Sequence, residues 1–141
     1  MRAVLDPNVL ISALLAPGGA PALALDAWRA GRYELIASPQ LIDELRRALD
    51  YPKLRRRIPP DAARAAVVLI ERDATIADDP PSPPARSADP GDDDLIALAR
   101  SRRAMLVSGD RDLLDLGGVL PILAPAPFLR WLEDPQSPTP R

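Results

Sequence analysis

Residues 2–15, RAVLDPNVLISALL, indicate the class of fold. The short apolar run that opens this stretch stops at Asp6, and a helical pattern follows from Pro7 through Leu15. Apolar runs and helical patterns keep alternating along the chain, and the further strand candidates are residues 33–37, 74–76, 104–107 and 120–123. Continuous apolar strands that alternate with helices are typical of a parallel sheet covered on both faces. The sequence therefore predicts an α/β fold, a three-layer α/β/α domain whose central, mostly parallel sheet has four to five short strands.

The length and composition fit one globular domain, which we expect to span residues 1–133. Residues 78–91 are rich in Pro, Ser and Asp, which predicts a long exposed loop, and residues 127–133 are expected to form a final helical turn. Residues 134–141 carry several prolines and are expected to form a flexible tail. The longest apolar runs are too short to span a bilayer, and the Asp-Pro-Asn triplet at residues 6–8 interrupts the first of them. Neither a membrane span nor a signal peptide is expected, and the cytoplasm is the predicted location.

Two residue types that serve many enzymes are missing from this chain, which has no cysteine and no histidine. Disulfides and thiolate zinc sites are therefore excluded, and so are imidazole acid-base catalysis and imidazole metal ligands. Any catalysis has to depend on carboxylates, hydroxyls, Arg, Tyr or the single lysine. The net charge of −2 is unlike that of proteins that bind nucleic acid chiefly by neutralising phosphates. A nucleic-acid substrate would need local basic patches and bound cations.

Two aspartates lie where strands of the predicted sheet end. Asp6 follows the first strand directly, and Asp110 follows the strand at residues 104–107 after a Ser-Gly pair. Ligands of open parallel sheets bind outside the carboxyl ends of the strands, so both aspartates are expected at the edge where a site would form. Simple helix capping is the alternative for each of them, because a helical pattern follows both and Asp is among the best N-caps.

Glu44 lies on the helix predicted near residues 38–49 and is the acid of that helix that best suits a site. Helical spacing places Glu44 at the margin of the apolar face that contains Leu41 and Leu45, while Asp43 points away from that face. Glu44 can therefore lean toward a buried rim. An exposed glutamate that forms a salt bridge is the alternative.

The densest acidic run is DPGDDD at residues 89–94. The macrodipole of a helix N-terminus favours one or two acids, and three consecutive aspartates exceed that need. Like charges this close raise one another's pKa unless a cation or an arginine neutralises them, so a hard divalent ion would suit them. Because the same helix terminus disfavours a cation, a metal site here requires carboxylates from elsewhere, and Asp6, Glu44 and Asp110 could supply them.

Six stretches, in a fixed order along the chain, carry a family resemblance. They are AVLDPNVLISAL at residues 3–14, GAP at 19–21, SPQLIDEL at 38–45, YPKL at 51–54, DPGDDDLIALA at 89–99 and VSGDRDLL at 107–114. In their order and spacing they resemble the PIN-domain superfamily, and within it the toxin components of bacterial and archaeal toxin–antitoxin systems, the VapC-like ribonucleases. The resemblance covers roughly residues 2–124.

The resemblance implies a set of site residues. The catalytic, metal-binding quartet consists of Asp6, Glu44, Asp93 and Asp110. Asp112 is an additional metal ligand. The four supporting polar residues are Asn8, Ser108, Asp92 and Asp89. Asp93 is preferred as the third acid because it lies three residues before Ile96, where the family's third acid falls. Asp94 replaces a residue that is often basic or polar, so Asp92 and Asp94 stay open as alternatives.

The activity implied by the resemblance is hydrolysis of RNA phosphodiester bonds with one or two Mg²⁺ or Mn²⁺ ions, which would lower the pKa of a bound water and stabilise the developing charge. A cognate antitoxin is the expected protein partner, and a homodimer is left open. A phosphate-tracking surface could be formed by five basic residues, whose alternative interpretation is a solvated charged turn: Arg46, Lys53, Arg55, Arg56 and Arg57.

Two other functions share features with this sequence, and the sequence argues against both. A receiver or phosphotransfer domain also gathers aspartates at strand ends, but it needs a lysine after a late strand, and Lys53 lies in mid-chain after a helix. The other rival is a catalytically inactive PIN fold that serves only to bind RNA or an antitoxin. The complete acidic quartet argues against it, because loss of activity would usually be accompanied by loss of acids.

Overall fold

A computed structural model describes residues 1–81, 90–118 and 120–134. At its centre is a five-stranded sheet in which every described pair of strands is parallel. The strands are β1 (Arg2–Leu5), β2 (Glu34–Ala37), β3 (Thr75–Ile76), β4 (Met105–Val107) and β5 (Ile122–Leu123), and their order in the sheet is β3-β2-β1-β4-β5. The predicted α/β class and the short parallel strands are confirmed.

Helices cover both faces of the sheet. They are α1 (Pro7–Leu15), α2 (Ala20–Arg29), α3 (Pro39–Leu49), α4 (Pro52–Arg55), α5 (Pro60–Asp73), α6 (Pro90–Ser101), α7 (Arg111–Leu114) and α8 (Pro125–Glu133). The chain moves from β1 to β2 to β3 in one direction and returns to β4 on the other side of β1. Because crossovers between parallel strands are right-handed, the helices before the return and α6 lie on opposite faces, which gives three layers. No single helix in the described ranges is long and apolar enough to cross a membrane; α1 and α2 reach that criterion only jointly, across a bend of 102°.

Burial on both faces explains the continuous apolar strands. Ala3, Val4 and Leu5 of β1 are almost completely buried, and so is Val107 of β4. A central strand of a parallel sheet has no face left for solvent, so polar alternation is missing from it. The hydrophobic core is thus built around β1 and β4, the two strands that also precede Asp6 and Asp110.

The last helix is longer than the sequence predicts. Only a turn is expected at residues 127–133, whereas α8 begins at Pro125 and runs through nine residues. Its Phe128 is fully buried and meets the ring of Tyr33 edge-on at 5.1 Å. The Tyr33 hydroxyl donates a hydrogen bond of 2.7 Å to the Ala24 carbonyl of α2, and burial raises the pKa of this phenol well above its usual value. Tertiary packing against α2 therefore stabilises a helix whose proline-rich sequence suggests a frayed end.

One further difference concerns a region without regular hydrophobic spacing. The basic stretch after Tyr51 contains the short helix α4, which Pro52 begins as its first residue. The predicted loop at 78–91 and the predicted tail at 134–141 fall largely outside the described residues.

The helices α2 and α6 end in the same hydrogen-bonded motif with different residues at its left-handed position. After α2 that position holds Gly31, with φ of 79°, and after α6 it holds Arg103, with φ of 52°. In the second motif the Arg103 amide donates to the Arg100 carbonyl and the Ala104 amide donates to the Ala99 carbonyl. This is a Schellman ending, in which glycine is the usual residue.

We expect Arg103→Gly to raise the free energy of unfolding by about 0.5–1 kcal/mol. The left-handed conformation costs a non-glycine residue about 1–2 kcal/mol, and the larger unfolded-state entropy of glycine offsets about 0.5–1 kcal/mol of that gain. Urea denaturation of both proteins measures the difference. Gly31→Ala is the matched reverse change, and it should lower the stability because alanine is strained at this positive φ. The added Cβ would meet no atom within 4 Å, so a steric clash does not contribute to the loss. A loss of stability in Arg103→Gly would contradict the expectation.

Candidate active site

Asp6 and Asp110 are joined through one serine at the point where the strand order reverses. The strands β1 and β4 are neighbours, and Leu5 is paired with Val107. The Ser108 hydroxyl donates a hydrogen bond of 2.8 Å to Asp6 Oδ2, and the same hydroxyl oxygen accepts one of 3.0 Å from the Asp110 backbone amide. Ser108 is completely buried and Asp6 is only 4% exposed. A buried carboxylate at the topological switch point of a doubly wound sheet lies where ligands of such folds bind.

Asp6 and Asp110 also cap helices, as the helix-capping alternative predicts for both of them. Asp6 Oδ1 accepts a hydrogen bond of 2.9 Å from the Asn8 amide at the start of α1, and Asp110 Oδ1 accepts one of 2.9 Å from the Asp112 amide at the start of α7. Asn8 and Asp112 contribute these backbone amides, and both residues are exposed. Capping uses one oxygen of each carboxylate and works at the protein surface. It does not account for the burial of Asp6 or for its bond to Ser108.

The acidic run at the start of α6 divides into two buried residues and one that is engaged elsewhere. Asp92 is 7% exposed and Asp93 6% exposed, and α6 packs on β1 and β4. Asp94 is half-buried and its Oδ2 accepts a hydrogen bond of 2.7 Å from Gln40 Nε2 of α3. The first turn of a helix favours negative charge, but burying two adjacent carboxylates exceeds what a helix end requires. The burial favours Asp92 or Asp93 over Asp94 as the acid of the site.

Glu44 is exposed and lines a narrow crevice between α3 and α6 that also contains Asp79 and Asp94. Gln40 joins the walls of this crevice, because its backbone amide donates a hydrogen bond of 3.0 Å to Asp79 Oδ2 and its side chain binds Asp94. Sequence reasoning missed Gln40. Its only sequence signal is its place directly after Ser38-Pro39, the pair that begins α3, where Ser38 Oγ accepts a hydrogen bond from the Leu41 amide.

The side-chain oxygens near this site can be compared with those that a divalent metal ion requires. Carboxylate and hydroxyl oxygens are the ligands that Mg²⁺ and Mn²⁺ prefer, so the chemistry of Asp6, Asp93 and Asp110 fits a hard cation. Among residues 1–81, 90–118 and 120–134, no three acidic side chains form a group with the spacing of a metal site. Asp89, one of the predicted supporting residues, lies outside the described residues.

The predicted phosphate-tracking surface is only partly free of acidic partners. Arg46 forms ion pairs with Asp43 and with Glu71 of α5. Lys53 and Arg55 lie on α4, and Arg55 and Arg46 line a cleft of about 430 Å³ between α3, α4 and α5. For Arg46 the ion pairs reduce the charge that is available to a phosphate.

Comparisons with known proteins show the family. The sequence model of the PIN domain matches residues 2–112. An uncharacterized protein of Methanocaldococcus jannaschii is 27% identical over 116 residues, which are 82% of this chain and 75% of that protein. The crystal structure of PAE2754 from Pyrobaculum aerophilum matches with a TM-score of 0.65 at 21% identity, over 94% of this chain and 90% of that one. This last likeness shows the fold.

Proposed function

We propose that this chain, which belongs to the PIN-domain family, is a divalent-metal-dependent endoribonuclease that hydrolyses RNA phosphodiester bonds. Proteins of this family are generally nucleases, and the metal dependence and the RNA substrate are the proposal. The observation that carries it is the buried Asp6 carboxylate, which is hydrogen-bonded to Ser108 at the carboxyl edge of the sheet. Burying a charge is costly, and buried charges in proteins are usually paired or coordinate a metal ion, which supports a cation-binding role for Asp6.

The residue roles proposed here are those that the family resemblance implies. Asp6, Asp93 and Asp110 would hold Mg²⁺ or Mn²⁺, with Glu44 as the fourth acid and Asp112 as an additional ligand. When bound, the cation supplies Lewis acidity, which lowers the pKa of the attacking water and stabilises charge on the phosphate. Ser108 acts as a positioning residue, because its hydroxyl fixes the Asp6 carboxylate and the Asp110 backbone relative to each other.

We further propose that the enzyme is the toxin of a toxin–antitoxin pair and works in the cytoplasm. The support is the order and spacing of the six sequence stretches that resemble such toxins. A cognate antitoxin protein is then the expected partner. A catalytically inactive PIN fold that binds RNA or an antitoxin is the competing function, and the acids at the strand ends argue against it.

Cleavage of labelled single-stranded RNA tests the proposal. We expect EDTA to abolish cleavage and added Mg²⁺ or Mn²⁺ to restore it, because the chain has no histidine to support metal-independent acid-base catalysis. A contaminating metal-independent ribonuclease would survive both EDTA and the Asp6→Asn change, so the variant, purified in the same way, controls for it. Cleavage that persists in EDTA but is lost in Asp6→Asn would belong to this chain and would overturn the proposed metal dependence. Pure protein that never cleaves RNA in Mn²⁺ yet binds the product of a neighbouring gene tightly would favour the binding module.

A further inference from the structure

A second cleft lies at the amino edge of the sheet, opposite the carboxylates. The helices α6 and α8 both run back from the carboxyl edge, and their last turns approach each other below the start of β4. The cleft between them has a volume of about 390 Å³ and is lined by two arginines, one tryptophan and four apolar residues: Arg100, Arg103, Trp131, Ala99, Ala104, Met105 and Pro121. A volume of this order is typical of sites for small ligands.

The charge of this cleft is not balanced by acids. Its lining contains no Asp or Glu. Arg100 and Arg103 are exposed, and in the described part of the chain neither guanidinium forms an ion pair or a hydrogen bond. The cleft beside α4 differs, because its lining includes Asp50 and Glu71 next to the arginines. Guanidinium groups without acidic partners are available to bind an anion, and their planar donor pairs match phosphate.

Trp131 adds an aromatic surface to the same cleft. The indole is half-buried and stacks on Phe128 of α8, with ring centroids 6.1 Å apart and an angle of 29° between the planes. This contact restrains the indole, and the remaining exposed part contributes to the cleft. Arginine and tryptophan side chains together provide what a nucleotide requires, since the base stacks on an aromatic ring and the phosphate binds a guanidinium.

The backbone of Arg103 is strained. It occupies the left-handed position that Gly31 fills after α2, and strained residues cluster at binding and active sites. A strained residue that lines a cleft points to a role in binding.

We propose that this cleft binds a nucleotide of single-stranded RNA, with the base against Trp131 and the phosphate on Arg100 and Arg103. This inference rests on the proposed function, because it treats the bound strand as part of the RNA that the carboxylates cleave. From Ala104 to Ser108 the chain of β4 extends about 13 Å, so the bound nucleotide and the scissile phosphate are separated by at least about that distance. The cleft thus selects RNA long enough to reach both edges of the sheet.

Fluorescence of Trp131 in the Trp28→Phe variant measures this binding directly, with EDTA present to prevent cleavage and an oligoadenylate as the probe. We expect saturable quenching by the oligoadenylate that weakens as salt rises. The Arg100→Ala/Arg103→Ala double variant should bind at least about tenfold more weakly, because it loses the phosphate contacts. Arg102→Ala is the matched control, since it removes an exposed charge from the same turn without touching the cleft.

Further variants keep the proposal testable. Arg103→Gly is expected to be more stable than the natural protein and to bind RNA more weakly, so a misfolded variant cannot explain its loss of affinity. If Trp28→Phe does not fold, the difference in quenching between the natural protein and Trp131→Phe gives the same measurement.

Three results would overturn the proposal: no quenching, unchanged affinity in the double variant, or equal quenching by polyglutamate, which would indicate an acidic protein segment as the ligand. Quenching without cleavage would support RNA binding in the cleft and contradict the proposed ribonuclease activity. Cleavage without quenching would support the ribonuclease activity and contradict RNA binding in the cleft.

Discussion

Asp6→Asn is expected to lower the rate of RNA cleavage by about a hundredfold or more, since even residues that only support metal ligands are worth about 10–100-fold. Asparagine keeps the oxygen that accepts the Asn8 amide, and Asn is as good an N-cap as Asp, so α1 should remain capped. What the change removes is the negative charge that would hold the cation, together with the oxygen that accepts the Ser108 hydrogen bond. Initial rates on labelled RNA in Mn²⁺ measure the loss of activity, and urea denaturation measures the stability that is lost with this hydrogen bond.

A graded series separates catalysis from structure. Asp110→Asn should resemble Asp6→Asn, and Ser108→Ala should cost about 10–100-fold because it leaves the carboxylates present but less well positioned. The control is Asp61→Asn, which changes an acid whose side chain is 98% exposed on α5 and should leave the rate unchanged. Full activity in both Asp6→Asn and Asp110→Asn would exclude the carboxylate site at this edge of the sheet.

The third acid can be identified by the same assay. Asp93→Asn should abolish cleavage, and Asp94→Asn should retain most of it, because the Asp94 carboxylate is bound by Gln40. Asp92 is buried to the same degree as Asp93, so burial does not distinguish them.

The sequence predicts the elements around β1 well because their signals are local. An apolar run, the capping Asp6 and Pro7 at the first helical position define the end of β1 and both bounds of α1 as the structure has them. Their placement at the carboxyl edge follows from topology, since adjacent parallel strands bring their ends together whatever the loops do. The burial of individual aspartates in the run at residues 89–94 cannot be predicted in this way. It depends on how α6 packs on β1 and β4, and no pattern within the run reveals which aspartate faces inward.

Contacts between distant segments explain what the sequence could not predict. The bonds from Gln40 to Asp79 and Asp94 join residues that are 39 and 54 positions apart, and none of the three has a spacing that would reveal the pair. The cleft with Arg100, Arg103 and Trp131 is similar, because α6 and α8 supply it from opposite sides of the sheet. Such sites become visible only when the strand order is known.

The largest expected effect on stability comes from Phe128→Ala. Phe128 is completely buried in α8, with Tyr33 edge-on at 5.1 Å and Trp131 stacked at 6.1 Å, so truncation leaves a cavity between α8 and α2. Phenylalanine to alanine changes in cores cost about 3–5 kcal/mol, which is a large part of the stability of a domain this size. Arg130→Ala is the matched control on the same helix, because Arg130 is exposed, and it should cost less than about 0.5 kcal/mol.

Urea unfolding followed by circular dichroism and by tryptophan fluorescence measures the cost of Phe128→Ala and also shows where it acts. If α8 is an integral part of the domain, both signals should shift together to lower urea, as two-state unfolding requires. A cost below about 1 kcal/mol would contradict the packing, because a fully buried phenylalanine cannot be removed so cheaply. A fluorescence transition that precedes the loss of circular dichroism would indicate that α8 detaches first. In that case the nucleotide cleft, which depends on Trp131, should lose RNA affinity in Phe128→Ala while the carboxylates at the opposite edge keep cleaving.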